Sequence, residues 1–331
     1  MEAADLERAI NRVAAKLAPG ATGASDLRRL SGGASQETWS ILANTPSGDV
    51  PLILRRRPDS PTGSGNAVPL ATEAALIRAA AARGAPVPTV PYVFQEADGV
   101  GEAYVMGKVE GETLGSRIVR NEAFAAIRPG LAAQCGAVLA QIHAIPLEGL
   151  PEVAHSSALV ELEKYEAVYR NCGAERPIIE AALVHLKRHA PALERQTLVH
   201  GDFRNGNLMI HPDDGLRAVL DWELAHLGDP AEDLGWICVN SWRFGNHAKP
   251  VGGFGDYAQL LDAYEAAGGA PIALERVKYW QMLGSMKWGI MCMTMYLSFA
   301  NGADPSVERA MIGRRTSETE IDLITLLEAV A

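Results

Sequence analysis

The stretch that most narrows what this chain can be runs from Leu198 to Glu223, LVHGDFRNGNLMIHPDDGLRAVLDWE. Two apolar runs, NLMIH and LRAVLDW, flank PDDG, whose Pro and Gly suit a tight turn. The spacing predicts a hairpin. Folding it returns Asp221, at the end of the second strand, to Asn207 at the start of the first. Asp202 lies five residues before Asn207 on the incoming loop. Two carboxylates and an amide oxygen then share a small volume, where the carboxylates repel unless a cation sits between them. An all-oxygen set of this size suits Mg2+, which keeps waters and takes further ligands from phosphate oxygens.

Phosphoryl transfer from a Mg-nucleotide uses such a set, because its loose transition state asks the protein mainly to position groups and neutralise charge. In that chemistry Asp202 orients the attacking hydroxyl and accepts its proton. Asn207 and Asp221 hold the metal, and Arg204 lies near the transferred group. Asp202 alone could be a surface acid, but with Asn207 and Asp221 in register the catalytic reading is stronger. His200 reads as a hydrogen-bonder that holds the loop, since Asp202 already fills the role of base. His143, in LAQIHAI, reads as a packing and capping residue at a helix end.

At 331 residues the chain suits one bilobal enzyme or two modest domains. The formal charge of −10 argues against a nucleic acid or an anionic membrane as partner. Cys135, Cys172, Cys238 and Cys292 form no C-x-x-C pair, which argues against zinc and a disulfide framework and for a reducing, cytoplasmic setting. The acidic, amphipathic start MEAADLERAI is unlike a signal peptide. The apolar run 281–300 is interrupted by Gln281, Ser285, Lys287 and Thr294 and reads as a buried helix, not a membrane span.

Along the chain, residues 4–17 form an apolar stripe of Leu6, Ile10, Val13 and Leu17, predicting a first helix. Strand-like runs around residues 30–43 and 49–57, then 101–114, predict an antiparallel sheet. A helix at 72–84 ends at Gly84 before three prolines. Beyond about residue 111 the patterning is helical apart from the hairpin. The expectation is an α+β, bilobal fold with a small N-terminal lobe over residues 1–107 and an α-rich C-terminal lobe over 108–331. In GDPAEDLGW, Asp229 reads as an N-cap with Pro230 at the first helical position and Glu232 completing a capping box. Asp304 and Pro305 repeat the device.

HGDFRNGN at 200–207 resembles the catalytic loop of the aminoglycoside phosphotransferase-like branch of the protein-kinase-like superfamily, and LDWE at 220–223 looks like its metal-binding segment. HGDFRNGNL, VLDWELAHLGDP and SVERAMIGRRT are most similar to phosphotransferase domains fused to acyl-CoA dehydrogenases and to their free-standing bacterial relatives. The resemblance implies a protein-kinase-like fold with ATP and Mg2+ as cofactors. It implies a phosphate loop at SGGASQET, with Ser31, Gly32, Gly33 and Ser35 against the phosphates. It places Arg55 where the family carries a lysine, paired with Glu73, although Arg56 or Arg57 could serve instead. A guanidinium binds phosphate as a fork and not as a point charge. The connector YVMGKVEG resembles the adenine hinge, with backbone groups from Met106 to Lys108 reading the base.

The function this implies is transfer of the γ-phosphoryl group of Mg-ATP to a small-molecule hydroxyl. A hydroxyacyl-CoA or other anionic alcohol fits the family match and the cations Arg243, Lys249, Lys287, Arg314 and Arg315. An aminoglycoside acceptor fits the acidic C-terminal part. The Gly-rich segment 241–257 could cover such a substrate or be a plain surface loop. A metal-dependent phosphoesterase lacks its early D-x-H and GD-x-x-D sets here and leaves Arg55 and Glu73 unexplained. A nucleotide-binding module without catalysis stays open, as does the choice of monomer or homodimer.

Overall fold

In the computed structural model, residues 3–30, 36–59 and 67–330 are described. The N-terminal part opens with helices α1 (Ala3–Arg12) and α2 (Ala14–Leu17), so the expected single helix is broken at Val13. Strands β1 (Gly23–Arg29), β2 (Glu37–Thr45) and β3 (Gly48–Arg56) follow, then helix α3 (Leu70–Ala82), β4 (Tyr92–Val93) and β5 (Ala103–Gly107). They build one antiparallel sheet in the order β1-β2-β3-β5-β4.

Strand periodicity of two decides which side chains meet which layer. Trp39, Ile41, Leu52, Leu54, Ala103 and Val105 face one way and bury Leu6, Ile10 and Leu17 of the first two helices. Tyr104 faces the other way, into a second core with Leu76 and Ile77 of α3. Arg55 pairs with Tyr104 across β3 and β5, so it shares that second face. The same alternation sends Arg56 to the opposite side, where it is buried with Glu37, Asp59 and the Val100 carbonyl.

The second part is helical: α4 (Gly115–Arg120), α5 (Leu131–His143), α6 (Ala158–Asn171) and α7 (Pro177–Arg188). Short strands β6 (Thr197–Val199), β7 (Leu208–His211), β8 (Gly215–Val219) and β9 (His226–Gly228) interrupt it. The helices resume as α8 (Ala231–Trp236), α9 (Tyr257–Ala266), α10 (Leu274–Ala300), α11 (Val307–Gly313) and α12 (Thr316–Glu328). The hairpin is β7–β8, paired from Leu208 with Val219 to His211 with Gly215, with a one-residue register shift between Met209 and Ile210. The Met-rich run lies on α10, whose residues Tyr279 to Gly289 are all buried. Among the described residues no helix is long and apolar enough to cross a membrane. The result is the bilobal, protein-kinase-like α+β architecture, with a small antiparallel lobe over a large helical one.

Both capping expectations need amendment. Asp229 Oδ1 does accept from the Ala231 N–H at 3.0 Å, but its Oδ2 takes Arg276 and Trp280, and Glu232 turns to His226 instead of closing a box. Ser306, not Asp304, caps α11, while Asp304 accepts from the Ser306 N–H and from Arg309. Tertiary partners outcompete the local device in the first case.

Candidate active site

The loop after β6 turns through Gly201, whose φ of +80° is costly for any other residue. A Cβ there would also sit 2.5 Å from the Leu224 carbonyl oxygen. Asp233, fully buried on α8, fixes the turn from behind: it accepts from the His200 N–H at 2.8 Å and the Gly201 N–H at 2.9 Å. His143 Nε2 lies 3.1 Å from the same carboxylate. Burial pushes the Asp233 carboxyl up, and the His143 and His200 bonds more than offset it, leaving it below its ordinary range. His200 Nε2 donates to the Leu220 carbonyl at 3.0 Å, the loop-holding role expected of it.

Asp202 stands at the centre of a donor set. Arg204 Nε and Trp236 Nε1 donate to its Oδ1 at 2.9 and 2.7 Å. Asn207 Nδ2 donates to its Oδ2 at 2.7 Å and to its backbone oxygen at 2.9 Å. The Asn207 carbonyl accepts from the Leu220 N–H at 2.8 Å, which seats Asp221 one residue further on. Asp221 adopts φ 65° and ψ 65°, a left-handed conformation that Asp tolerates better than most residues.

Arg55 reaches Asp221 with Nη2 2.8 Å from Oδ1, lies 3.6 Å from Glu73, and donates through Nε to Gln36 Oε1 at 2.7 Å. Glu73 is fully buried and accepts from the Tyr104 hydroxyl at 2.9 Å. Burial raises the Glu73 carboxyl above its ordinary value, and Arg55 holds it back only partly. Burial and then Glu73 push the Tyr104 hydroxyl well up. Gln36, just before β2, donates to Glu73 and to Glu223, each at 3.3 Å, and so joins the start of that strand to α3 and to the segment after the hairpin.

The arrangement brings together Asp202, Arg204 and Asn207, and through the hairpin Asp221, Arg55 and Glu73. Arg55 is the arginine at the cleft; Arg57 pairs with Glu102 at the surface. Ser31, Gly32, Gly33 and Ser35 lie outside the described residues. Met106 sits in β5, but the Gly107 and Lys108 N–H groups donate to Thr89 O and Pro51 O at 2.8 and 3.1 Å. A base contact by Lys108 therefore falls to its carbonyl. Four cations expected to meet an anionic acceptor are engaged within the chain. Arg243 donates to the Cys238 and His247 carbonyls, Lys249 pairs with Asp256, Lys287 lies between Glu161 and Glu232, and Arg315 pairs with Glu318. Sequence reasoning missed Gln36, Asp233 and Trp236; EDLGW, next to the capping signal, was the one available pointer to the last two.

Among the described residues no group of three or more His, Cys, Asp or Glu side chains is placed to hold a metal ion unaided, so a magnesium ion here would take Asn207 and Asp221 together with waters and phosphate oxygens. With its Nδ2 turned to Asp202, Asn207 presents its Oδ1 elsewhere, and Asp221 Oδ2 has no protein donor among the described residues.

A small antiparallel lobe set over a helical lobe, with the acid-bearing loop and hairpin at their junction, defines a protein-kinase-like phosphotransferase fold. The sequence profile of the phosphotransferase enzyme family matches residues 26–270, and the chain belongs to that family. It is 30% identical over 233 residues to acyl-CoA dehydrogenase family member 10 of Mus musculus, covering 66% of this chain and 20% of that protein. Acyl-CoA dehydrogenase family member 11 of Gallus gallus is 28% identical over 231 residues, covering 65% of this chain and 28% of that protein. The chain thus spans less than a third of the length of either relative. Among solved structures, a putative aminoglycoside phosphotransferase from Ralstonia eutropha superposes with a TM-score of 0.75 at 22% identity, covering 97% of this chain and 98% of the other. A spectinomycin phosphotransferase, solved with ADP and spectinomycin, gives a TM-score of 0.64 at 14% identity, with 98% of each chain covered.

Proposed function

We propose that the chain transfers the γ-phosphoryl group of Mg-ATP to the hydroxyl of a small molecule. The observation that carries this is the double tie made by Asn207. Its side-chain Nδ2 donates to Asp202 Oδ2 at 2.7 Å, and its backbone carbonyl accepts from the Leu220 N–H beside Asp221 at 2.8 Å. One residue thereby sets the spacing between a base and a metal carboxylate. Asp202 takes the proton of the attacking hydroxyl, and Arg204 stands beside it to meet charge on the transferred group. Asn207 Oδ1 and Asp221 would hold Mg2+, which neutralises phosphate charge when bound. Arg55, oriented by Glu73 and Gln36, faces the phosphates. The nucleotide lies between a lobe of residues 1–107 and a catalytic and substrate lobe of 108–331, in a cytoplasmic protein. The ADP in the spectinomycin phosphotransferase structure supports an adenine nucleotide.

For the acceptor, the acyl-CoA dehydrogenase relatives support a hydroxyacyl-CoA or a related anionic alcohol. The internal engagement of Arg243, Lys249, Lys287 and Arg315 removes four of the cations that argued for it, so the reading rests on kinship. An aminoglycoside is the second reading, supported by the fold neighbours. ADP release measured over a panel of hydroxyacyl-CoA thioesters, aminoglycosides and simple alcohols decides between them. Absence of Mg-ATP binding together with absence of ADP release across the panel would end the kinase reading. Binding without turnover would leave a nucleotide-binding module.

A further inference from the structure

Behind Asp202 lies a buried charged cluster that phosphoryl transfer does not require. Lys287 on α10 is only 6% exposed, yet its Nζ sits 3.7 Å from Glu161 and 3.8 Å from Glu232. Glu232 also lies 3.1 Å from His226 Nε2, and Glu161 accepts from the Ser156 hydroxyl at 2.9 Å. Burial pushes the Lys287 ammonium down; Tyr165, Glu161, Glu232 and Asp202 more than reverse that, so it lies above its ordinary value and stays charged. Charges held in a core at this cost call for an explanation other than stability, because apolar residues of similar volume often serve that end as well.

The ammonium lies 5.0 Å from the centre of the Trp236 ring, within cation–π range. The edge of that ring carries Nε1, which donates to Asp202 Oδ1 at 2.7 Å. A carboxylate offers about four acceptor positions. Arg204 and Trp236 occupy those of Oδ1, and Asn207 takes one on Oδ2. One position on Oδ2 is left for an incoming hydroxyl. Trp236 is itself set by a close helix contact, since a Cβ on its neighbour Gly235 would meet Trp280 Cβ at 2.6 Å and the Gln281 backbone nitrogen at 2.7 Å.

We propose that Trp236, held by the buried Lys287, is a positioning residue that turns the Asp202 carboxylate so that Oδ2 alone faces the acceptor hydroxyl. The inference rests on the phosphotransfer reading above and adds which carboxylate oxygen acts and what aims it. Trp236→Phe keeps the ring over Lys287 and removes only the N–H. Its kcat should fall tenfold or more, with acceptor KM and Mg-ATP affinity within about threefold. Lys287→Met should shift the Trp236 indole 1H–15N resonance and lower kcat in the same sense.

Both variants are to be compared with the unsubstituted chain by steady-state ADP release, Mg-ATP calorimetry and the indole resonance. A kcat for Trp236→Phe within twofold of the parent overturns the proposal, as does an indole resonance unmoved by Lys287→Met. Should Lys287→Met not fold, Glu232→Gln perturbs the same ammonium and is read in the same way. A parent chain that neither binds nor turns over Mg-ATP overturns the kinase reading instead. In that event the indole resonance in Asp202→Asn and Lys287→Met still decides whether the Lys287–Trp236–Asp202 chain exists, and an unmoved signal in either sinks it.

Discussion

Arg55 and Asp221 form an ion pair from β3 to the end of the hairpin, Nη2 to Oδ1 at 2.8 Å, so the cation of one lobe rests on the proposed metal carboxylate of the other. Glu73 shares that guanidinium from a fully buried position. Removing the cation strands Glu73 with only neutral donors. Arg55→Met should therefore cost on the order of 3–5 kcal/mol. The sign with pH follows from the raised Glu73 carboxyl. Its contribution to stability is complete below its ordinary value of 4.5 and is lost as pH rises through the folded value, which climbs further without Arg55. Urea denaturation of Arg55→Met from about pH 5 to pH 8 should show stability falling. Arg55→Met/Glu73→Gln should flatten the curve; an equally steep fall in the double variant would place the effect elsewhere.

Asp202→Asn removes the proton acceptor and puts an amide where Arg204, Trp236 and Asn207 all donate. Phosphoryl transfer should drop by about 10²–10⁴-fold, the usual contribution of a general base. Mg-ATP binding, carried by Arg55, Asn207 and Asp221, should change only severalfold. Calorimetry beside ADP release separates the two quantities. Transfer within tenfold of the parent would show that Asp202 is not the base.

His226 is buried against Glu232, and although burial alone would depress it, Glu232 and the Leu224 carbonyl raise its pKa from 6.5 to about 9. A histidine with a raised folded value contributes fully below its unfolded pKa and loses that contribution as pH climbs through the folded one. Between about pH 6.5 and 9 the chain should lose on the order of 3 kcal/mol from this site. His226→Asn should be less stable than the parent at pH 6 and close to it near pH 9.5, by chemical denaturation at each pH. A parent curve level across that range would mean that His226 is neutral in the folded state.

The hairpin, the order of lobes and the loop acid were legible because each rests on local signals: a Pro-Gly turn, alternating apolar runs and short spacings. Choosing Arg55 over Arg56 needed strand register, which the run LILRRRP leaves open until Tyr104 is known to lie opposite. The cluster around Lys287 was invisible for a different reason. Glu161, His226, Glu232 and Lys287 come from α6, β9, α8 and α10, and no local pattern joins residues that far apart. Glu232 misled because its position after Asp229 satisfies a local capping rule that a buried histidine then overrides. Trp236 was not singled out, and Lys287 was read as a cation for an anionic acceptor; both are buried, and the indole N–H and the ammonium give them direction as well.

Asp233 puts that distinction to a test at the foot of the catalytic loop. Its two oxygens accept from consecutive backbone N–H groups, His200 and Gly201, at 2.8 and 2.9 Å in a site without solvent. Asp233→Asn replaces one acceptor by an NH2 that faces a donor, leaving a buried N–H unpaired at about 1–3 kcal/mol or more. The turn at Gly201 must then relax, and Asp202 moves with it, so kcat should fall together with stability. Because the Asp233 carboxyl lies below its ordinary value of 3.8, its contribution is present above that value and fades as pH drops. Acid denaturation of the parent should accordingly begin at higher pH than expected for a chain lacking this site only if Asp233 is paired as described. In Asp233→Asn that acid-sensitive component should disappear. Amide hydrogen exchange at His200 and Gly201 gives the direct reading: it should accelerate in the variant, and unchanged protection there would mean that the loop is held by something other than Asp233.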